Sequence, residues 1–580
     1  MKASRRTFIK QGALATIATF GAGSLLWSNM DSVMAQDAKA RALPISAEVA
    51  AAKAANAINE VPYISTYYNQ PTVDAGKPVT INYYVTDFDQ KEYMKDDHSE
   101  TFTVEYWING VKSTLQNVKA GDNSVTLKSI PKGEVLFAFQ ATDQQGRTSH
   151  RLFLKFTVID PASRTIPEDK ILKPDLKKFG IYDDDTHPVE TTKGLNEMLK
   201  WAHDNGYRKV ILPKGTYRFD ENSTVQMVTQ LTLDMNGSTF KLNPNALESG
   251  MMLEMFHCTD SHVINGTFQG DLKEHVFTKR GADYWVSALN MGQDTIDCSF
   301  EDLKLVDITG AAVTTSIGGN QTRTYSEVTN GVGAFTLGDV DAQGKPIDSK
   351  IRATSKLVDI SKFVASKNGF LQMGHYLGYQ GNGTGTWVYK ASFYDKDKNY
   401  ISAIPGFLYR RLYPPTNANY ARFTLYSAAS RYCGVKPEGQ LTLFEFRPPY
   451  NCTFKNLDIE SARACGMAPS GFNNLLVEGC TFTNSGSAAS TCALDAEDGW
   501  DGSQDLYFRN NVFNKNPRNE FLTDAGHNFV MTGNTMAVVI RARTESYVFR
   551  NNTIKGGTFE YGARDHTNFP RVYNNTFIGP

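Results

Sequence analysis

The chain has no C-x-x-C pair, and its seven cysteines are an odd count. Both facts argue against a disulfide framework or a cysteine-built zinc ribbon. Three of the cysteines recur inside a repeat described below, which marks them as buried thiols. Net charge is nearly lacking, −1 at pH 7, so no global field draws the protein to nucleic acid or an anionic membrane. Past the N-terminus no apolar run approaches the roughly 18 residues of a transmembrane helix. What is abundant points elsewhere. Aromatic residues make up 12%, and Gly, Asn and Thr are frequent, a balance that favours an all-β chain. The length exceeds one core and predicts roughly two to four domains.

The N-terminus reads Ser4-Arg5-Arg6-Thr7-Phe8-Ile9-Lys10, then an apolar run from Gly12 to Trp27, then Val33-Met34-Ala35. A charged start, a short apolar stretch and a small-residue cleavage site compose a removable signal rather than a membrane span. The pair of arginines resembles the twin-arginine export signal, which implies a leader over 1–35 and a periplasmic or extracellular protein. An Ala-rich polar lead-in follows over 36–58.

From 59 to 160, short alternating segments such as "TINYYVTDF", "TFTVEYWING" and "VLFAFQATD" are separated by Asn109-Gly110, Gly121-Asp122 and Gln145-Gly146. Period-two alternation with regular turns predicts a β-sandwich, and it resembles an immunoglobulin-like module. Residues 161–177 read as a Pro-rich linker. An amphipathic helix then carries Leu195, Met198, Leu199 and Ala202 on one stripe and ends at Gly206. Pro213-Lys214-Gly215-Thr216-Tyr217 follows. Over 178–244 this arrangement resembles the entry of pectate-lyase-superfamily parallel β-helices, in which a helix caps the first coil.

An internal repeat supports that architecture independently. The quartets "NGTF" (265–268), "DCSF" (297–300), "NCTF" (451–454), "GCTF" (479–482), "NNVF" (510–513), "GNTM" (533–536), "NNTI" (551–554) and "NNTF" (574–577) recur along the chain. Stacked coils would pile Cys298, Cys452, Cys480, Asn511, Asn534, Asn552 and Asn575 into one corner ladder. Phe268, Phe300, Phe454, Phe482, Phe513, Met536, Ile554 and Phe577 would form one interior ladder. The expected fold is an all-β, right-handed parallel β-helix, with an N-terminal β-sandwich and a second β-sandwich inserted between coils. The interval from Phe300 to Phe454 is several coils too long, so 318–447 is that insertion. The helix occupies 178–317 and 448–580. In the insertion, Trp387, Tyr389, Tyr409 and Tyr413 are candidates for stacking on sugars or for the sandwich core. The last quartet adjoins Pro580 without a visible cap, so a loop, a second subunit or truncation accounts for that end.

The stretch "LDAEDGWDGSQD" (494–505) concentrates carboxylates. An EF-hand loop is excluded, because Trp500 stands where that loop needs Gly. A solvated acidic turn and a catalytic groove remain. Alternation sends Cys492 and Leu494 inward and Asp495 and Glu497 outward. The next coil brings Asp524 to an equivalent place, with His527 at the following turn. Arg541 and Arg543 point outward on the coil after that, and Glu560, Tyr561, Arg564 and His566 lie on the last full coil. Asp501 and Asp505, past the turn glycines, are expected to be exposed and dispensable.

Glu497-Asp498, Gly526-His527-Asn528 and Arg541-Ala542-Arg543 follow the order of the D-D, G-H-G and R-I-K motifs of polygalacturonase-like hydrolases. The chain has no N-T-D, and Asn528 replaces a glycine. The resemblance implies that Asp495 or Asp498 protonates the leaving oxygen and Asp524 activates water. Glu497, His527, Arg541, Arg543, Arg564 and His566 would then bind an acidic glycan, and hydrolysis needs no cofactor. Pectate-lyase-type β-elimination uses the same surface differently. There Asp495, Glu497, Asp498 and Asp524 hold Ca²⁺ and Arg541 or Arg543 is the base. A non-catalytic glycan-binding β-helix is the third reading.

Overall fold

The computed structural model describes residues 62–66, 70–86, 100–128, 130–277, 285–315, 335–349, 352–364, 370–375, 388–407, 410–425, 441–443, 449–469, 471–488, 491–497, 503–517, 519–524, 527–537, 540–543, 547–556, 559–561 and 571–579. Residues 1–58, expected to be a signal and a lead-in, lie outside them. So do Asp498, Asp501, Arg564, His566, Trp387 and Tyr409.

The larger part is a parallel β-helix with three faces. The first face begins with Ile171–Leu172 and Lys209–Ile211 and ends at Arg571–Tyr573. The second runs from Thr216–Phe219 to Thr576–Ile578, and the third is a nine-stranded sheet from Val225–Gln226 to Phe559–Tyr561. Ile171 and Leu172, in the expected linker, already pair in parallel with Lys209 and Val210. The helix Pro188–Asp204 closes the first coil. Its Leu195, Met198, Leu199 and Ala202 are buried in the same core as the coils, and Gly206 ends it at φ 75°.

Corners explain the repeat. Asn236, Asn265, Asp302, Asn456, Asn510, Asn551 and Asn574, together with Gly479 and Gly533, all take positive φ between the first and second faces. Asn, Asp and Gly tolerate that backbone best. At Gly533 a Cβ would overlap the Asn510 carboxamide of the coil before. The residue after the corner turns inward. The Asn511 amide donates to Asn534 Oδ1 at 2.9 Å, Asn534 repeats this to Asn552 at 2.9 Å, and Asn552 to Asn575 at 3.0 Å. Cys480 begins the ladder by donating its amide to Asn511 Oδ1 at 2.9 Å.

Cys298 and Cys452 are not part of it. They open the first face, where the column continues into Leu475, Leu506, Phe529 and Tyr547. Phe300 and Phe454 accordingly belong to a first-face column with Val263 and Val477, whereas Phe482 and Phe513 stack on the second face. The quartets merged two corners because both use a left-handed Asn or Asp ahead of an inward aromatic. Asp297 (φ 56°) and Asn451 (φ 56°) play that part at the first-face entry.

Phe300 and Phe454 are nonetheless neighbours, stacked at 5.7 Å between ring centroids across the long interval. The chain between them holds a described six-stranded antiparallel sheet and a smaller three-stranded one. At the N-terminal end, three- and five-stranded sheets enclose Ile81, Val104, Phe137 and Phe139. Both modules rest on the first face. Its outward column Leu476, Tyr507, Val530 and Val548 is apolar and buried against Tyr84, Phe153, Phe393 and Phe423. Tyr389 is wholly buried in the insertion and Tyr413 packs on Phe153, so neither is a free sugar platform. No helix among the described residues is long and apolar enough to cross a membrane.

Asn534→Ala is expected to cost about 1–3 kcal/mol, because buried partners on two coils lose their hydrogen bonds. A denaturant titration reads this as a lowered midpoint, and an unchanged midpoint would show that the ladder does not stabilise the stack.

Candidate functional site

The three faces are unequal. The first is covered by the two modules, as described above. The outward column of the third face instead reads Gln226, Glu254, Asn290, Thr314, Ala468, Asp495 and Leu522, and it continues at the backbone level to Arg541 and Glu560. Its first members are joined by side-chain hydrogen bonds, Gln226 to Glu254 and Asn290 to Glu254. Within this largely polar column Asn290 and Thr314 are buried, while Gln226 is exposed and Glu254 and Asp495 are partly so.

Register places the carboxylates. Leu494 lies opposite Phe521, both fully buried, so the strand Cys492–Glu497 turns Leu494 to the core. Asp495 lies opposite Leu522 and is half-buried. Two residues on, Glu497 lies opposite Asp524, and Asp524 lies opposite Arg543. Adjacent parallel strands are about 4.8 Å apart, so the Glu497, Asp524 and Arg543 backbones form one short acid–acid–base column. Asp495 is diagonal to Asp524 rather than opposite it. Arg541 shares the Asp495 column, with Leu522 between them.

Other expected members lie elsewhere. His527 begins the strand His527–Thr532 of the first face and pairs with Gln504, around a corner from Asp524. Asn528 adopts φ 54°, the conformation that glycine would otherwise supply. Its carboxamide donates to Asp505 Oδ1 at 2.7 Å, so His527 and Asn528 belong to the first face and not to the third.

Asp505 is the main correction. It is 7% exposed, not a turn residue in water, because the chain passes from the third face to the first between Glu497 and Gln504. Its left-handed backbone (φ 59°) aligns it with Asn451 and Asn474, part of a polar ladder that begins at Asp297. On the outer side its Oδ1 accepts from Tyr63 of the N-terminal module at 3.0 Å and from Arg410 of the insertion at 2.6 Å. Burial pushes the Asp505 carboxyl up, while Arg410, Asn528 and Tyr63 pull it down. One carboxylate therefore joins three parts of the chain.

Cys465, which no motif marks, and Cys492, expected to point inward, both place their thiols beside the Asp495 carboxylate. The signal was their registry, since Met467 lies opposite Leu494 and each cysteine is two residues earlier. Burial pushes Cys480 up to about 12 and Cys258 up to about 11, which keeps them protonated.

No protein-family model matches the chain. In sequence it is similar to the SPbeta prophage-derived uncharacterized protein YorA of Bacillus subtilis (strain 168), 26% identical over 117 residues. That match covers 18% of this chain and 20% of YorA, so the chain spans about a fifth of that relative's length. Among solved structures it is similar to the A-module of the Azotobacter vinelandii mannuronan C-5 epimerase AlgE6. Identity is 11% and the TM-score 0.30, over 70% of this chain and 93% of that one. For the AlgE4 A-module of the same organism the values are 10% and 0.29, over 70% and 95%. PfbA, a surface adhesin of Streptococcus pneumoniae, gives 12% and 0.25, over 69% and 89%. At these scores the β-helix rests on this chain's own strand pairing.

Asp505→Asn is expected to destabilise the protein by about 3–5 kcal/mol, since it strips the counter-charge from buried Arg410. Thermal or urea unfolding measures it. A shift no larger than that of a surface Asp→Asn control would show that the junction does not depend on this pair.

Proposed function

We propose that the protein is an exported enzyme that cleaves an acidic polysaccharide on the third face, by carboxylate-pair hydrolysis. The observation that carries this reading is the Glu497–Asp524–Arg543 register on consecutive coils. It sits on the third face, whose outward column is largely polar. The register makes Glu497 the partner of Asp524, in place of Asp495 or the undescribed Asp498. Backbones on neighbouring coils are about 4.8 Å apart, a spacing compatible with the roughly 5–5.5 Å between the carboxyl groups of a retaining glycosidase. Like charges so close cannot both ionise easily, so one stays protonated as the general acid while the other attacks the sugar carbon. Arg543 and Arg541 sit on the coil beyond, suited to hold a uronate carboxylate or a sulfate ester by paired hydrogen bonds. The polar column from Gln226 onward supplies further sugar contacts along the groove.

The same register supports a second reading. An arginine directly beside two acids is also what β-elimination uses, with Ca²⁺ on Asp495, Glu497 and Asp524 and Arg543 as base. Products separate the two. Elimination leaves an unsaturated uronic end that absorbs in the ultraviolet, and hydrolysis leaves a reducing end without it.

Asp524→Asn and Glu497→Gln are each expected to lower turnover by at least about a thousandfold with the fold intact, as loss of a paired acid requires. The measurement is product release from a panel of acidic and neutral polysaccharides, read by mass. Retained turnover in Asp524→Asn would overturn the reading. Binding without cleavage by the unmutated protein across the panel would favour a glycan-binding β-helix.

A further inference from the structure

Ligand-type atoms converge where the third face meets its corner. The thiols of Cys465 and Cys492 and a carboxylate oxygen of Asp495 all lie within 4.8 Å of one another. Both cysteines are buried and neither is in a disulfide. The Asp495 Oδ1 atom is shielded from water as well. Cys492 and Asp495 lie on the strand Cys492–Glu497, and Cys465 lies just ahead of the strand Met467–Ala468. Cys465 and Cys492 fall on adjacent coils, and Asp495 directly follows Leu494, which faces Met467. The Cys492 thiol donates to the Leu494 carbonyl at 3.2 Å, which turns it along the strand toward Asp495.

We propose that Cys465, Cys492 and Asp495 bind a thiophilic divalent cation, Zn²⁺ above all, with water in the fourth position. Zn–S bonds of about 2.3 Å and Zn–O bonds of about 2.1 Å put tetrahedral ligands roughly 3.5–3.8 Å apart. Atoms within 4.8 Å of one another need to draw in by at most roughly 1 Å to reach it. Two sulfurs and one oxygen suit Zn²⁺ and exclude Ca²⁺ or Mg²⁺, which seek oxygen. Ala464 and Ala488 pack under Trp285 beside the cluster, a dry wall that strengthens charge–ligand attraction. Binding releases the two thiol protons to solvent, so affinity falls as pH falls. The assignment goes beyond the glycan reading, since it gives Asp495 to the metal and leaves Glu497 and Asp524 as the acid pair.

The test uses the full chain, reduced and stripped with a chelator, then titrated with Cd²⁺ as a spectroscopic stand-in and with Zn²⁺. A thiolate-to-cadmium charge-transfer band that saturates at a single equivalent is expected. Cys465→Ser and Cys492→Ser each remove it, Cys298→Ser retains it, and Asp495→Asn weakens binding by about tenfold or more. Circular dichroism checks the fold of each variant. Independently of any variant, bound Zn²⁺ should shield Cys465 and Cys492 of the unmutated protein from alkylation, mapped by mass. Absence of both the band and the shielding overturns the site, as does a Cys465–Cys492 disulfide in the protein as purified. Glycan turnover is not the readout, so either outcome leaves that reading to its own experiment.

Discussion

From Asn236 to Asn574 each described coil turns from the first face to the second through a left-handed residue, and the rest of the structure depends on that constraint. A positive φ is costly for most L-amino acids, by about 1–2 kcal/mol, and least so for Asn, Asp and Gly. The chain therefore meets it with Asn236, Asn265, Asn456, Asn510, Asn551 and Asn574 at one corner. Once these stack, the next residue is held at a fixed height and direction, and Asn511, Asn534, Asn552 and Asn575 close their hydrogen bonds from coil to coil. The same rigidity aligns the interior. Each fully buried phenylalanine of the stack adds about 1.5–3 kcal/mol, but only because the corners bring it into register.

A second set of left-handed residues opens the first face, and here polarity changes the outcome. Asp297, Asn451, Asn474, Asp505 and Asn528 stack with their side chains bonded, and the apolar column of Leu476, Tyr507, Val530 and Val548 lies alongside. An apolar outer column on a sheet must be covered. The two modules cover it, and Tyr63 and Arg410 meet on Asp505. Arg550 adds a bond to Asp122 of the N-terminal module at 2.6 Å. The outward column of the third face is largely polar instead. The two faces thus differ in whether a strand is apolar on both sides.

Much of this was legible before any coordinates. The capping helix was readable because Leu195, Met198, Leu199 and Ala202 share one helical stripe. The Asn511–Asn575 ladder was readable because corner chemistry permits few residue types. The alternation in "CALDAE" correctly set Leu494 inward. Apolar runs such as "NNLLVE" and "QDLYFR", with hydrophobic residues on both sides of the strand, could have announced the covered face. The misreadings share a cause. Asp505 resembled a turn acid because sequence shows its neighbours along the chain and not Tyr63 or Arg410, which are remote from it. Cys298 and Cys452 resembled Cys480 because two different corners use the same local grammar.

By itself the sequence determined the local conformations: which residues turn, which alternate and where a helix caps the first coil. These follow from backbone sterics and side-chain periodicity, which act over a few residues. Only the tertiary structure decided which coil lies beside which. Register across strands is set by the summed packing of whole coils and by insertions of unequal length, and a one-residue slip reverses every face. That cross-strand choice places Glu497 opposite Asp524, sends His527 around a corner and brings Cys465 and Cys492 to Asp495.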